Sequence, residues 1–370
     1  MTTPVIGMTG TPDQATLDAL REGVAGVLAE QSGSTAVHAF IDGANALDRA
    51  LWVQAGALGW LGVGIPEEYG GLGMGAWGLA ILHAELGRRA APGPYISTMC
   101  AAQAIAESGD ETIRKAWLPR LASGEIGAAV PANLGAIALS RNRTGVSGTL
   151  RCLGNPDAAF LLAPAGDVWA IVELAGVDVK AAQMWDRTRN AIDVRLADAP
   201  PAALLPDAVA THAVLTRAMA LAVAADSAGG ARSVTEGTIA YMKTREQFGQ
   251  PIAGFQALKH RAADLATKLA TMDEMVAHAV HRTAAAEPDA DIWACLAKAE
   301  VTEAAVFVTT DCVQLHGGVG YTWDFDPHIF LKRARLNEVL AMANPTLRDR
   351  AADALAAIVS SGRSALELGL

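Results

Sequence analysis

The arrangement of apolar and polar residues divides the chain into three segments. Residues 1–125 are rich in Ala and Leu, with apolar residues at helical spacing from about residue 12 onward and Gly or Pro where helices should end. Val63–Gly75 is the longest glycine-rich interruption, which we interpret as a loop, either a plain connector or one wall of a ligand channel. This segment predicts an N-terminal helical domain.

Residues 126–205 contain short apolar runs separated by turn residues. Two of these runs are Ala158–Ala163 and Val168–Val172, and a Gly-Asn-Pro turn precedes the first. Such runs predict the strands of a small, shortened central β-domain. No GxGxxG sequence follows a predicted strand, which argues against a Rossmann-type nucleotide site.

Long helical patterns return in residues 206–370. One of them carries apolar residues at alternating four- and three-residue spacing: Leu258, Ala262, Leu265, Leu269, Met272 and Val276. This spacing places them on one stripe, which favours packing in a bundle core or at a helix–helix subunit interface over contact with a cofactor. The three segments together predict a mostly helical α+β protein.

The composition narrows the classes of function. The chain has 370 residues, of which 51% are hydrophobic, and can therefore bury a large core. Its net charge is −10 and it has no run of Lys or Arg longer than two, which argues against binding nucleic acid. The long apolar stretches are interrupted by charges, so we expect buried helices and no membrane span.

The four cysteines are widely scattered, at positions 100, 152, 295 and 312. They form neither a disulfide framework nor a metal-ligand cluster with histidines. We therefore expect reduced thiols, a cytoplasmic protein and no metal site.

Two stretches contain residues that helix packing alone does not require, Tyr241–Gln256 and Gln314–Tyr321. A dinucleotide has a diphosphate and a flat base, so its site needs fixed positive charge, close backbone amides and an apolar surface. Arg245 can donate two hydrogen bonds to phosphate oxygens. Gly317 and Gly318 allow the backbone to approach phosphate, and their amides would add partial positive charge if they precede or interrupt a helix.

These stretches resemble the FAD-binding signature of the acyl-CoA dehydrogenase family. The resemblance extends to Gly64–Gly73 and Trp117–Gly124, and so covers nearly the whole chain. It implies an N-terminal helical domain (1–125), a central β-domain (126–205) and a C-terminal four-helix bundle (206–370), with an acyl-CoA substrate. It also implies that the two stretches reach across a dimer interface to the ADP half of a FAD lodged mainly in the neighbouring subunit.

The resemblance assigns a role to each residue of this FAD grip. It implies that Arg245 and Gln314 bind the pyrophosphate region, that Phe248 and Gln256 line the adenosine end, and that the amides of Gly317 and Gly318 approach the cofactor.

The carboxylate base that the family needs is missing from its expected positions. In the common branch of the family, the matching position here is Met342, and in a second branch it is Met219 or Ala220. Asp226 follows Met219 by roughly 10 Å of helix rise, too far to replace it. We interpret Asp226 as a carboxylate at a helix interface, and the catalytic residues remain unknown.

The part of the pattern that contacts the flavin ring is also altered. Where catalytic members carry Leu-Thr-Glu-Pro-Gly-x-Gly-Ser-Asp, this chain has Ala128–Gly135, without the Thr, Ser and Asp. The family's later Trp-Ile-Thr-Asn run has no counterpart near Gly148–Gly154. The half of the site that holds the flavin ring is therefore degenerate, whereas the half offered to a neighbour is intact.

This asymmetry resembles the degenerate subunit of heterotetrameric acyl-CoA dehydrogenases that act on bulky thioesters such as steroid side chains. Two alternatives stay open. The chain could be a complete homo-oligomeric enzyme that uses Glu236, Glu338 or Asp226 as its base, or a scaffold that has lost FAD. The sequence does not indicate which acyl group is oxidised.

Overall fold

The computed structural model describes residues 12–43, 47–135, 137 and 139–362. Six helices form the first segment: α1 (Gln14–Gln31), α2 (Ser34–Asp42), α3 (Arg49–Ala57), α4 (Gly75–Arg88), α5 (Tyr95–Ser108) and α6 (Glu111–Ala122). As predicted, Val63–Gly75 contains the loop before α4, with a short 3-10 helix at Glu67–Tyr69. Its backbone folds tightly, since a Cβ on Gly71 would lie 2.0 Å from the carbonyl oxygen of Ile65.

The second segment is a β-sheet. Its strands are β1 (Ala128–Pro131), β2 (Ser140–Arg141), β3 (Val146–Leu153), β4 (Phe160–Ala165), β5 (Val168–Glu173), β6 (Asp178–Ala181), β7 (Ala191–Ala199) and β8 (Ala203–Leu205). The strand order is β6-β7-β3-β1-β4-β5-β8, with β2 beside β3. The two predicted runs correspond to β4 and β5, which pair antiparallel.

The third segment is helical. Its elements are α7 (Ala208–Thr244), a hairpin of β9 (Glu246–Gln247) and β10 (Gln250–Pro251), α8 (Gln256–Ala284), α9 (Ala290–His316), α10 (Pro327–Asn337) and α11 (Asn344–Ser360). The predicted stripe on α8 faces the core: Leu265, Leu269 and Met272 are buried, and Leu258 and Val276 are partly buried. The prediction of a core stripe is therefore confirmed.

Helix α7 is the central helix of the molecule. It is long and apolar enough to cross a membrane, but 61% of its most apolar window is buried against other parts of the protein. Two glycines allow it to approach α4 closely. A Cβ on Gly229 would lie 1.9 Å from the Ala84 carbonyl oxygen, and one on Gly87 would lie 2.1 Å from the Asp226 carbonyl oxygen. Helix α7 is thus a core helix held tightly against the N-terminal segment.

A buried ion cluster joins the three segments. Asp226 of α7 accepts hydrogen bonds from Arg189, in the loop between β6 and β7, at 2.5 Å and from Arg333 of α10 at 2.6 Å. Arg333 also donates to the carbonyl oxygen of Ala91 at 3.3 Å. Burial alone would raise the pKa of Asp226, but Arg189 and Arg333 outweigh it and hold that pKa well below its usual range. The interpretation of Asp226 as a carboxylate at a helix interface is therefore confirmed.

Buried Lys298 of α9 fixes the turn between α10 and α11. Its Nζ donates at 2.8 Å to the carbonyl oxygens of Glu338 and Met342 and to Oδ1 of Asn344. Burial lowers the pKa of Lys298 to about 7. The conformation of this turn therefore depends on one side chain with three acceptors.

We expect Asp226→Asn to lower the free energy of unfolding by about 3–5 kcal/mol, because it leaves two arginines buried without their shared carboxylate. Urea unfolding measures this loss. The control is Asp193→Asn, which removes an exposed partner of Arg151, and it should cost less than about 1 kcal/mol. Equal effects of the two substitutions would contradict a structural role for the cluster.

The cluster also predicts a pH dependence. Because the pKa of Asp226 is lower in the folded than in the unfolded chain, its contribution is complete above the unfolded value of about 3.9 and is lost as the pH falls below it. The stability of the native protein should therefore fall more steeply below pH 4 than that of Asp226→Asn, as measured by urea unfolding at each pH.

Lys298→Met should lower the free energy of unfolding by about 1–3 kcal/mol, because it leaves buried acceptors without a donor. The matched control is Lys268→Met on α8, where the ammonium lies 4.7 Å from the centre of the Phe307 ring. That change should cost less than about 1 kcal/mol. A smaller loss from Lys298→Met than from the control would be inconsistent with an anchoring role.

Candidate functional site

The predicted FAD grip begins in the hairpin between α7 and α8. Phe248 and Gly249 form its tip, with φ angles of 54° and 79°. Glycine adopts this left-handed region freely, whereas an aromatic residue there costs about 1–2 kcal/mol. The side chain of Phe248 is also 93% exposed. A large apolar ring is therefore held outward by a strained backbone.

Arg245 lies at the base of this hairpin. Its backbone is fixed, because its N–H donates to the carbonyl oxygen of Tyr241 and its own carbonyl accepts from Ile252, both at 2.8 Å. Its side chain is exposed, and among residues 12–43, 47–135, 137 and 139–362 no carboxylate lies within 4.0 Å of its guanidinium. Arg245 thus presents an unpaired cation from a fixed position.

The second stretch follows the end of α9. Gln314, Gly317 and Gly318 are all exposed, and a Cβ on either glycine would meet open space. Gly317 has a φ of 66° and caps the C-terminus of α9. The condition for helix-derived positive charge at these amides is not met, because the C-terminus of a helix carries partial negative charge and only a five-residue 3-10 helix follows.

The fold brings the two stretches to the same end of the bundle. The rings of Tyr241, one turn before Arg245, and His316, next to Gly317, stack at 4.4 Å with an angle of 17°. Gln256 is the first residue of α8 at this same end, and its Nε2 lies 3.3 Å from Nε2 of His260. The two predicted stretches therefore lie close together, and all six predicted residues are exposed.

The positions of the missing base lie in the core. Met342 and Met219 are 1% and 0% exposed, in one apolar cluster with Ile96 and Leu134. The backbone at Ala341 also pairs with the central domain: its N–H donates to Ala132 at 3.0 Å and its carbonyl accepts from Leu134 at 2.5 Å. Apolar packing thus surrounds the positions predicted for the base.

The three carboxylates considered as substitutes are engaged elsewhere. Asp226 is paired with two arginines in the buried cluster. Glu236 is exposed and bonded to Arg88 at 2.7 Å, and Glu338 is bonded to Arg335 at 3.0 Å. A general base needs a free carboxylate of raised pKa in a dry cleft. None of the three has that environment.

Family models match both helical segments. Residues 14–125 match the model described as acyl-CoA dehydrogenase, N-terminal domain, and residues 210–356 match acyl-CoA dehydrogenase, C-terminal domain. Acyl-CoA dehydrogenase FadE34 of Mycobacterium tuberculosis is 33% identical over 88% of this chain, which spans 45% of that relative. Acyl-CoA dehydrogenase IpdE2 of the same organism is 30% identical over 85% of this chain and 89% of its own length.

Solved structures have the same fold. A variant of the Tcur3481-Tcur3483 steroid ACAD is 26% identical, with a TM-score of 0.86 over 94% of this chain and 99% of that one. The ChsE4-ChsE5 complex of Mycobacterium tuberculosis is 23% identical, with a TM-score of 0.84 over the same shares. With its two family models and its match to nearly the whole of IpdE2, the chain belongs to the acyl-CoA dehydrogenase family of oxidoreductases.

Proposed function

We propose that this chain is a subunit of an FAD-dependent acyl-CoA dehydrogenase and binds the ADP half of a FAD whose reactive ring lies in a partner subunit. That partner supplies the catalytic carboxylate. The observation that carries the proposal is an asymmetry. The positions predicted for the base are buried and apolar, whereas Arg245 and Phe248, beyond the other end of α7, are exposed, and among the described residues no carboxylate lies within 4.0 Å of the Arg245 guanidinium.

The length of α7 separates these two places. Met219 and Arg245 are 26 residues apart, which corresponds to roughly 39 Å along a helix. This distance exceeds the length of an extended dinucleotide. A nucleotide held by Arg245 would therefore serve a flavin ring in another subunit rather than a cleft beside Met219.

The exposed residues fit the chemistry of a dinucleotide tail. The guanidinium of Arg245 can bind two phosphate oxygens, and its lack of a carboxylate partner leaves both donor pairs free. The open space at Gly317 and Gly318 allows backbone amides to approach the diphosphate. The ring of Phe248, whose left-handed conformation is strained, offers an apolar surface for the adenosine end.

The chemistry itself would belong to the partner. When bound, FAD accepts the hydride from the β-carbon of the acyl-CoA thioester. Removal of the α-proton needs a carboxylate, which neither Met342 nor Met219 can provide. The role of this chain is to hold and orient the nucleotide and to exclude water from its neighbour.

The proposal also extends to the substrate and to the subunit assembly. Two similar structures are named for two different chains each, Tcur3481-Tcur3483 and ChsE4-ChsE5, and the first is named a steroid ACAD. We therefore infer a heterotetramer with a second acyl-CoA dehydrogenase subunit, in the cytoplasm, that oxidises a bulky acyl-CoA.

The first test is purification from the native host, with mass identification of what comes down with the chain. We expect a second acyl-CoA dehydrogenase subunit that carries a glutamate where this chain has Met342. The chain purified alone should show little flavin absorbance near 450 nm and no dehydrogenase activity, and co-expression should restore both. A fully flavinated, active homo-oligomer would refute the proposal, and absence of flavin from both preparations would favour a scaffold.

The second test is Arg245→Gln in the purified complex. Loss of a charge-assisted hydrogen bond to phosphate should raise the Kd for FAD at least about tenfold, because such a bond contributes about 1.5–3 kcal/mol. Flavin fluorescence on dilution measures this Kd. The control is Arg143→Gln in the central domain, where the arginine is also exposed and should not affect flavin binding. An unchanged Kd for Arg245→Gln would contradict the assignment of the grip.

A further inference from the structure

A cavity of about 340 Å³ lies between the N-terminal segment and the C-terminal bundle. It is bounded by the start of α2, the end of α4, the last turns of α7 and the start of α10. Its volume is at the lower end of the range for small-molecule sites. None of the six predicted FAD-binding residues lines it.

One wall of this cavity is aromatic. Tyr241 and His316 stack at 4.4 Å, and Phe325 packs edge-on against both at 5.5 Å. Val234 and Ile329 extend the apolar surface. Such a wall favours a flat ring system over a flexible chain, because a rigid ring loses less conformational entropy on binding.

Gly237 leaves space in the cavity, but as a glycine within α7 it lowers the stability of that helix. A glycine inside a helix destabilises it by about 0.5–1 kcal/mol relative to alanine. Gly229 has a packing reason, because its Cβ would lie 1.9 Å from the Ala84 carbonyl oxygen. No such packing contact requires a glycine at position 237, because a Cβ there would meet nothing within 4 Å, and Gly237 lines the cavity.

A buried hydroxyl without a partner also lines the cavity. Ser32 is 3% exposed, and its Oγ makes no hydrogen bond within the part of the chain that the structure describes. A buried polar atom without a partner costs about 1–3 kcal/mol.

The charged side chains around the cavity indicate the charge of its ligand. Arg88 is bonded to Glu236 at 2.7 Å, whereas exposed Arg89 has no carboxylate within 4.0 Å among the described residues. Asp326 accepts from Ser34 at 2.8 Å and is engaged by α2. Exposed Asp324 at the rim would repel a second negative charge on a ligand.

We propose that this cavity binds an aromatic or alicyclic monocarboxylate. Its ring packs against Tyr241, His316 and Phe325, and its carboxylate pairs with Arg89. A phosphate monoester is the weaker match, because it carries about −1.5 to −2 charges at pH 7. The site uses none of the six residues of the FAD grip, although Tyr241 and His316 lie near two of them in the chain.

The test is calorimetric titration of the full-length chain with 2-naphthoate, with neutral 2-naphthamide and adenosine monophosphate as comparison ligands. We expect one saturable site that prefers 2-naphthoate. Gly237→Leu should weaken its binding at least tenfold by filling the cavity. Arg89→Gln should weaken 2-naphthoate about tenfold and leave 2-naphthamide unchanged, because only the carboxylate uses the cation.

The matched control is Gly26→Leu in α1, an exposed helical glycine that also has open space and lies outside the cavity. It should leave binding unchanged. Gly237→Ala checks folding, since it should raise the Tm while placing only a methyl group in the cavity. Absence of saturable binding, equal effects of the two leucine variants, or tighter binding of adenosine monophosphate would each overturn the proposal.

Discussion

The pairing of one buried carboxylate with two buried arginines is the constraint on which the rest of this structure depends. Asp226, Arg189 and Arg333 come from three different parts of the fold, and Arg333 also bonds to the backbone at Ala91. Charges away from water are tolerated only when they are paired and hydrogen-bonded. Asp186, 3.9 Å from Arg189, supplies a second carboxylate and makes the cluster neutral. The cluster therefore fixes how the helical and β segments meet.

Helix α7 extends from the apolar core, near its N-terminus, to the protein surface at its C-terminus. Toward its N-terminus it places Met219 in the apolar core, and toward its C-terminus it presents Arg245 to solvent. The close approach of α4 at Gly87 and Gly229 leaves no room for the helix to shift. One rigid element thus carries both the buried Met219 and the exposed Arg245 and holds them apart.

The local features of this structure could be predicted from the sequence. The stripe from Leu258 to Val276, the strands and the loop at Val63–Gly75 follow from spacing and turn residues that lie close together in the chain. The residues of the proposed FAD grip come from two continuous motifs, and their role stays a prediction. That the two stretches lie close together follows from the stacking of Tyr241 on His316, which no local pattern indicates.

The long-range interactions could not be predicted. Arg189 and Arg333 lie 37 and 107 residues from Asp226, so no periodicity links them. Lys298 is one of several charged residues in α9, so its sequence gave no distinct signal, and its acceptors lie 40 or more residues away. The sequence alone also did not show at which end of a helix Gly317 lies, and the structure places it at the C-terminus of α9.

The surroundings of Met342 include polar groups as well as apolar side chains. The Sδ of Met342 lies 3.4 Å from Nη1 of Arg350, and its carbonyl oxygen lies 2.8 Å from Nζ of Lys298. A glutamate at position 342 would therefore enter a site with two nearby basic groups. The positive charge of Arg350 would act to lower the pKa of its carboxyl group, against the rise that burial in this apolar cluster would cause. The packing around Met342 is thus built for an apolar side chain, which is consistent with the proposal that this chain acts through a partner.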